Sequence, residues 1–217
     1  MRQMEILALY LLIRNWLNAT VDGSNIITDW QGIPSSNNAD AAATISINTG
    51  QKLSMLFHTH PSIGNGTLSV FSDADLIAIA TSIRRQAITT DKFVAYLATS
   101  KGTYLALTIT DPQKLLDLLY SETFPASGEG IGDSDWGKII ASEKKFKSLQ
   151  DKYYNVNNPN RLLIETNTDN EKVLKNFLKF LNDADAGVNI YESDSNFSSF
   201  KRLVLNGENV ERKTTCN

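Results

Sequence analysis

Residues 56 to 76 read "LFHTHPSIGNGTLSVFSDADL" and hold both of the chain's 2 histidines. His58 and His60 are two positions apart, so on a β-strand their side chains share a face, with Thr59 on the other. Two imidazoles on one face are a natural pair of metal ligands, each about 2.0 to 2.1 Å from a zinc ion. Asp75 falls at the start of the next expected helix, and a loop that folds back would bring its carboxylate in as a third ligand. Water would complete such a set, the open arrangement of a catalytic zinc rather than the closed one of a structural zinc. Each residue also has a plainer reading. The histidines could be a part-buried, hydrogen-bonded pair, and Pro61 a simple strand stop. Ser72 and Asp75 fit a capping box, which does not exclude ligation, because a ligand aspartate can sit in a helix's first turn. What the plainer readings leave unexplained is why both histidines fall immediately before this loop.

"HTHP" followed by "SDAD" resembles the signature of the JAB/MPN metallopeptidases, often called JAMM proteins: His-x-His-Pro, a loop, Ser-x-x-Asp, and a glutamate upstream. The resemblance implies that His58, His60 and Asp75 are zinc ligands and that Pro61 is the family proline. The loop between His60 and Ser72 is longer than the family's usual spacing. Its extra length falls in "SIGNGTLSV", where Gly64 and Gly66 make an insertion cheap. A shifted register would put Asp73 on the metal, but Asp75 keeps the Ser-x-x-Asp spacing. For the upstream glutamate, Glu5 is the only residue of its type before His58. It is followed by "ILALYLLI", with Ala8 where relatives often have glycine. Relatives usually place a strand and a helix before this glutamate. Here either that part of the fold is abbreviated or the chain is a piece of a longer protein. Glu5 as an ordinary helix-surface or terminal acid is the alternative, and Asp22, Asp29 and Asp40 are weak substitutes for it.

The implied activity is zinc-dependent hydrolysis of an amide, a peptide or isopeptide bond, through a metal-activated water. Zinc would lower the pKa of that water and polarise the carbonyl. Glu5 would accept the water proton and deliver it to the leaving amine. Ser72 would stabilise the oxyanion, a role worth ~2.7 to 4 kcal/mol in comparable enzymes. The implied partner is a protein or peptide, such as a ubiquitin-like conjugate or the parent polypeptide. "FSDADL", the hairpin that follows and a C-terminal extension resemble JAB-like domains of bacterial proteins, Bacteroidetes especially, at the ends of large repeat-containing or toxin-like polypeptides. The rival from another class is a non-catalytic MPN-like scaffold. Such relatives have typically lost the metal ligands, so retention of His58, His60 and Asp75 favours the enzyme. A zinc deaminase needs Cys-x-x-Cys, and Cys216 is this chain's single cysteine.

The elements that must position these residues alternate between β and α. "KLSMLFHTH" reads as a strand, and "SDADLIAIATSIRRQ" as a helix with a serine start, early acids and late arginines. "KFVAYLATS" and "TYLALTITD" form a hairpin about Lys101-Gly102, and "DPQKLLDLLYSE" a helix with Pro112 at its first position. Upstream, the apolar run from Glu5 to Ile13 is a buried strand or the start of a helix reaching Leu17. One strand is expected between Gly23 and Gly32, and another at "AATISIN". Downstream come a linker at "PASGEGIGDSDW", a charged helix over about 141 to 154, and a break at "NVNNPN". A short strand "RLLIE" and an amphipathic helix "DNEKVLKNFLKFLNDA" follow. The end reads as strands with an Asn206-Gly207 turn. The class is mixed α/β. With the resemblance, this becomes a JAB/MPN-like fold with a central mixed sheet of the cytidine-deaminase-like kind, flanked by helices. The zinc domain would cover residues 1–122 and an α/β extension residues 123–217. The extension's aromatics read as core.

The 217 residues can bury a substantial core. A net charge of −3 argues against a broad nucleic-acid footprint, and the basic stretch "SEKKFKSLQDK" interleaves acids like a solvated helix face. A single cysteine excludes both an intrachain disulfide framework and a Cys-based zinc site. It leaves the compartment open between the cytoplasm and delivery or secretion within a larger system. The N-terminal apolar run is too short to span a bilayer and makes a poor signal peptide.

Overall fold

The computed structural model describes residues 16–21, 27–33, 52–60, 68–119, 144–154, 164 and 169–214, the first two segments as backbone alone. Their elements, in chain order, begin with strands β1 (Trp16–Val21), β2 (Ile27–Ile33) and β3 (Met55–His60). Helix α1 (Asp73–Arg84), strands β4 (Val94–Thr99) and β5 (Tyr104–Ile109), and helix α2 (Pro112–Leu119) follow. Helices α3 (Lys144–Tyr153) and α4 (Asn170–Ala184) then lead to strands β6 (Val188–Ser193), β7 (Phe200–Asn206) and β8 (Asn209–Thr214). The class is mixed α and β, as the alternation in the sequence requires.

The strands form one sheet in the order β2-β1-β3-β4-β5-β6-β7-β8. Every neighbouring pair is antiparallel except β3 and β4. A parallel pair needs a long crossover, and the segment carrying α1 supplies it. Alternation along each strand sends one set of side chains to the helices. The cross-strand register Leu56–Ala95–Leu107–Ile190–Leu203 runs as a buried apolar row over five strands. Leu76 and Ile79 of α1, Leu115 and Leu118 of α2, Phe146 of α3, and Phe177 and Phe180 of α4 join it in a single core. Full burial of each such side chain stabilises the fold by about 1.5 to 3 kcal/mol. Sheet and core both continue across residue 122, because β5 pairs directly with β6.

On the other face Phe57 stacks on Tyr96 at 4.4 Å between ring centroids, and Phe197 meets both rings edge-on. Two hairpin turns depend on glycine. Gly102, at φ 77°, closes the β4–β5 turn, where its N–H donates to the Thr99 carbonyl. Gly207, at φ 59°, is the first residue of the two-residue turn between Asn206 and Asn209. That turn is Gly207-Glu208, one residue beyond the expected Asn206-Gly207, because the first central position of such a turn takes a positive φ that glycine adopts without strain. Arg212 of β8 reaches Glu192 of β6 and Glu171 of α4, a part-exposed tie of modest worth.

Of the two readings left open for the N-terminal apolar run, one is excluded at its end. A helix continuing to Leu17 is not what forms there: Leu17 lies in β1 and pairs with Phe57. A short apolar run does not distinguish the two periods, and pairing with β3 decides it. The run from Glu5 to Ile13, the strand at "AATISIN", the linker and the Asn/Pro break lie outside the described residues. So does "RLLIE" apart from Ile164, which is buried and donates its N–H to the Tyr153 carbonyl. Among the described residues no helix is long and apolar enough to cross a membrane.

Candidate metal centre

Period-two alternation in β3 sends Leu56 and His58 into the core, with His60 on the same face at the strand's end. His58 is 1% exposed and its ring lies 5.6 Å from that of Phe71. The His60 side chain keeps 17% exposure, so the cluster meets solvent from the His60 side. Both rings stand at the carboxyl end of the parallel pair β3–β4, the place where open α/β sheets generally build their sites.

The third member comes from the start of α1. Ser72 is its N-cap, with extended backbone (φ −79°, ψ 166°). The Asp75 N–H donates to Ser72 Oγ at 3.1 Å, and the Ser72 N–H donates back to Asp75 Oδ2 at 2.7 Å. This capping box holds the carboxylate rigidly, and it is Oδ2 that faces the rings. That oxygen lies 3.2 Å from His58 Nε2 and 3.3 Å from His60 Nε2. Tetrahedral ligands at about 2.0 to 2.1 Å from an ion stand about 3.3 to 3.4 Å from one another. Both separations fit that edge. The three residues offer ligand atoms within 4.8 Å of one another and can hold a metal ion.

The polarity of the site supports the same conclusion. His60 Nδ1 lies 3.1 Å from the Leu68 carbonyl oxygen. A carbonyl only accepts, so Nδ1 is the protonated nitrogen. In the neutral ring, Nε2 then turns a lone pair toward Asp75 Oδ2. Two acceptors at 3.3 Å need a cation between them, a proton or a metal ion. Burial disfavours a charge on His60, but the hydrogen bond and Coulomb attraction of Asp75, with the Leu68 and Val70 carbonyls, outweigh it and hold the imidazole pKa above its ordinary value. Burial also pushes Asp75 upward, yet the facing His58 and His60 override it and keep the carboxyl well below the usual carboxylate range.

Asp73, the alternative ligand in a shifted register, points elsewhere: its carboxylate accepts from Gln150 of α3 and from the Ala74 N–H. Ser72 borders the cluster through its cap. Glu5 and Pro61 lie outside the described residues. The supports missing from the sequence reading are distant in the chain. Tyr154, just beyond α3, donates its hydroxyl to the Phe71 carbonyl at 3.1 Å, and Phe177 of α4 packs near Phe71 at 6.4 Å. Periodicity placed Phe177 in a core but gave no sign that this core underlies the histidines.

No protein-family model matches the chain, and no curated protein or solved structure matches it either.

Proposed function

We propose that this chain is a zinc-dependent amide hydrolase of the JAB/MPN kind, acting on a peptide or isopeptide bond in a protein substrate. The observation that carries this reading is the convergence of His58, His60 and Asp75, with Asp75 Oδ2 3.2 and 3.3 Å from the two Nε2 atoms and all three ligand atoms within 4.8 Å of one another. Two imidazoles and one carboxylate match the three-ligand set of catalytic zinc, whereas structural zinc sites close with four protein ligands. Bound there, zinc would supply Lewis acidity, acidifying water and polarising a carbonyl.

The chain's own residues divide the remaining work. His58 and His60 would hold the ion, and the Leu68 carbonyl keeps the His60 proton on Nδ1, leaving Nε2 free to ligate. Asp75 contributes Oδ2 while the Ser72 N–H orients it. The cap uses a lone pair of Ser72 Oγ as acceptor, so its O–H proton can be donated to a developing oxyanion. Glu5 is assigned the proton transfers from water to the leaving amine. Substrates consistent with this chemistry are conjugates of a ubiquitin-like protein and the parent polypeptide.

Metal analysis is the first test. Purified protein should carry zinc at close to one ion per chain and lose it in the His58→Ala, His60→Ala double variant; metal-free wild type overturns the reading. Glu5→Gln should retain zinc while losing hydrolysis of isopeptide-linked ubiquitin-like conjugates and peptide substrates. Zinc-loaded wild type that hydrolyses none of them would make the domain a metal-holding scaffold instead.

A further inference from the structure

We propose that Thr103, on the β4–β5 hairpin, is a positioning residue for the metal centre, pinning the loop whose carbonyl selects the ligating nitrogen of His60. The inference rests on the metal-site reading above and extends it to a residue of the neighbouring hairpin.

The hydrogen bonds run in one direction. Thr103 Oγ1 lies 2.6 Å from the Ser69 carbonyl oxygen and 2.7 Å from Thr99 Oγ1, and the Thr103 N–H meets Thr99 Oγ1 at 3.3 Å. The carbonyl can only accept, so Thr103 spends its single hydroxyl proton on Ser69. Thr99 must then donate its own proton to Thr103 Oγ1, while Thr99 Oγ1 accepts from the Thr103 N–H. Each hydroxyl proton is thereby committed, and the chain ends on the peptide unit next to Leu68.

That placement matters because the Leu68 carbonyl accepts from His60 Nδ1. The other side of this bond is referenced to the same hairpin: His60 is paired with Thr99 in the parallel register, and the Ser100 N–H donates to the His60 carbonyl at 3.0 Å. The hairpin turn is itself braced by Asn170 at the start of α4, whose side-chain N–H donates to the Lys101 carbonyl at 3.0 Å. One rigid turn thus holds both the ring and its acceptor. Partners of this outer kind orient metal ligands, and their loss typically weakens metal binding about 10- to 100-fold.

The test compares Thr103→Val, which keeps the shape and removes the hydroxyl, with Thr103→Ser, which keeps the hydroxyl. Zinc affinity is read by competition with a chromophoric chelator, and the His60 tautomer by ring ¹⁵N chemical shifts at a pH where the imidazole is neutral. Thr103→Val should weaken zinc binding about tenfold or more and scramble the Nδ1–H tautomer, with Thr103→Ser close to wild type. Wild-type zinc affinity together with an intact tautomer in Thr103→Val would overturn the proposal. An Nε2–H tautomer of His60 in the unaltered protein would do so as well, whether or not the variant folds. If the wild type binds no zinc yet Thr103→Val still scrambles the tautomer, the metal reading falls and the positioning role stands.

Discussion

His60 and Asp75 oppose each other in their proton preferences, and this sets a pH signature at the scale of single residues. The His60 pKa is raised above the ordinary 6.5, so in the metal-free protein its contribution to stability is complete below 6.5 and is lost as pH rises through the raised value. The Asp75 pKa is depressed below 3.8, so its contribution is present above 3.8 and is lost as pH falls through the depressed value. Metal-free protein should therefore be most stable in mildly acidic solution, between those two ordinary values. Zinc competes with the His60 proton, so its affinity should rise with pH through the raised His60 value. Thermal melts with and without zinc check this: the zinc-induced increase in Tm should be small near pH 5 and large near pH 8. An increase that does not vary with pH would mean that zinc binds elsewhere.

At the scale of the element, the N-terminus of α1 serves as a helix cap and also places the candidate ligand Asp75. Ser72→Ala removes the acceptor for the Asp75 N–H and should cost about 1 kcal/mol of stability. Ser72→Gly costs only a few tenths of a kcal/mol as a cap but has no side-chain proton to donate. On the proposed mechanism it should melt close to wild type while hydrolysing about 10²- to 10³-fold more slowly. Melts and rates measured on the two variants separate the functions. A fully active Ser72→Gly would confine Ser72 to the cap.

At the scale of the whole molecule, the site stands on residues far apart in the described chain. Phe177 is fully buried in α4 with its ring 6.4 Å from that of Phe71, which in turn lies beside His58. Phe177→Ala should cost about 3 to 5 kcal/mol by denaturant unfolding. It should also lower zinc affinity, because the cavity loosens the wall behind His58. A stability loss with unchanged affinity would show that the histidine wall is held without α4.

The sequence by itself determined most of the elements and brought His58, His60 and Asp75 together as a candidate cluster. Alternation placed His58 and His60 on one face, and the serine-led acidic start placed Asp75 in the first turn of α1. Both follow from local periodicity and capping, which operate over a few residues. Choosing Asp75 over Asp73 rested on spacing, and the structure supplies the physical reason: Asp73 is engaged by Gln150, 77 positions away. Leu17's place in β1, the pairing of β5 with β6, and the contacts of Thr103 and Tyr154 with the loop that leads into α1 were not legible. Each depends on partners distant in the chain, and local pattern carries no record of which segments will meet. Tertiary structure alone decided that, by pairing strand edges and burying one shared apolar row beneath the two histidines.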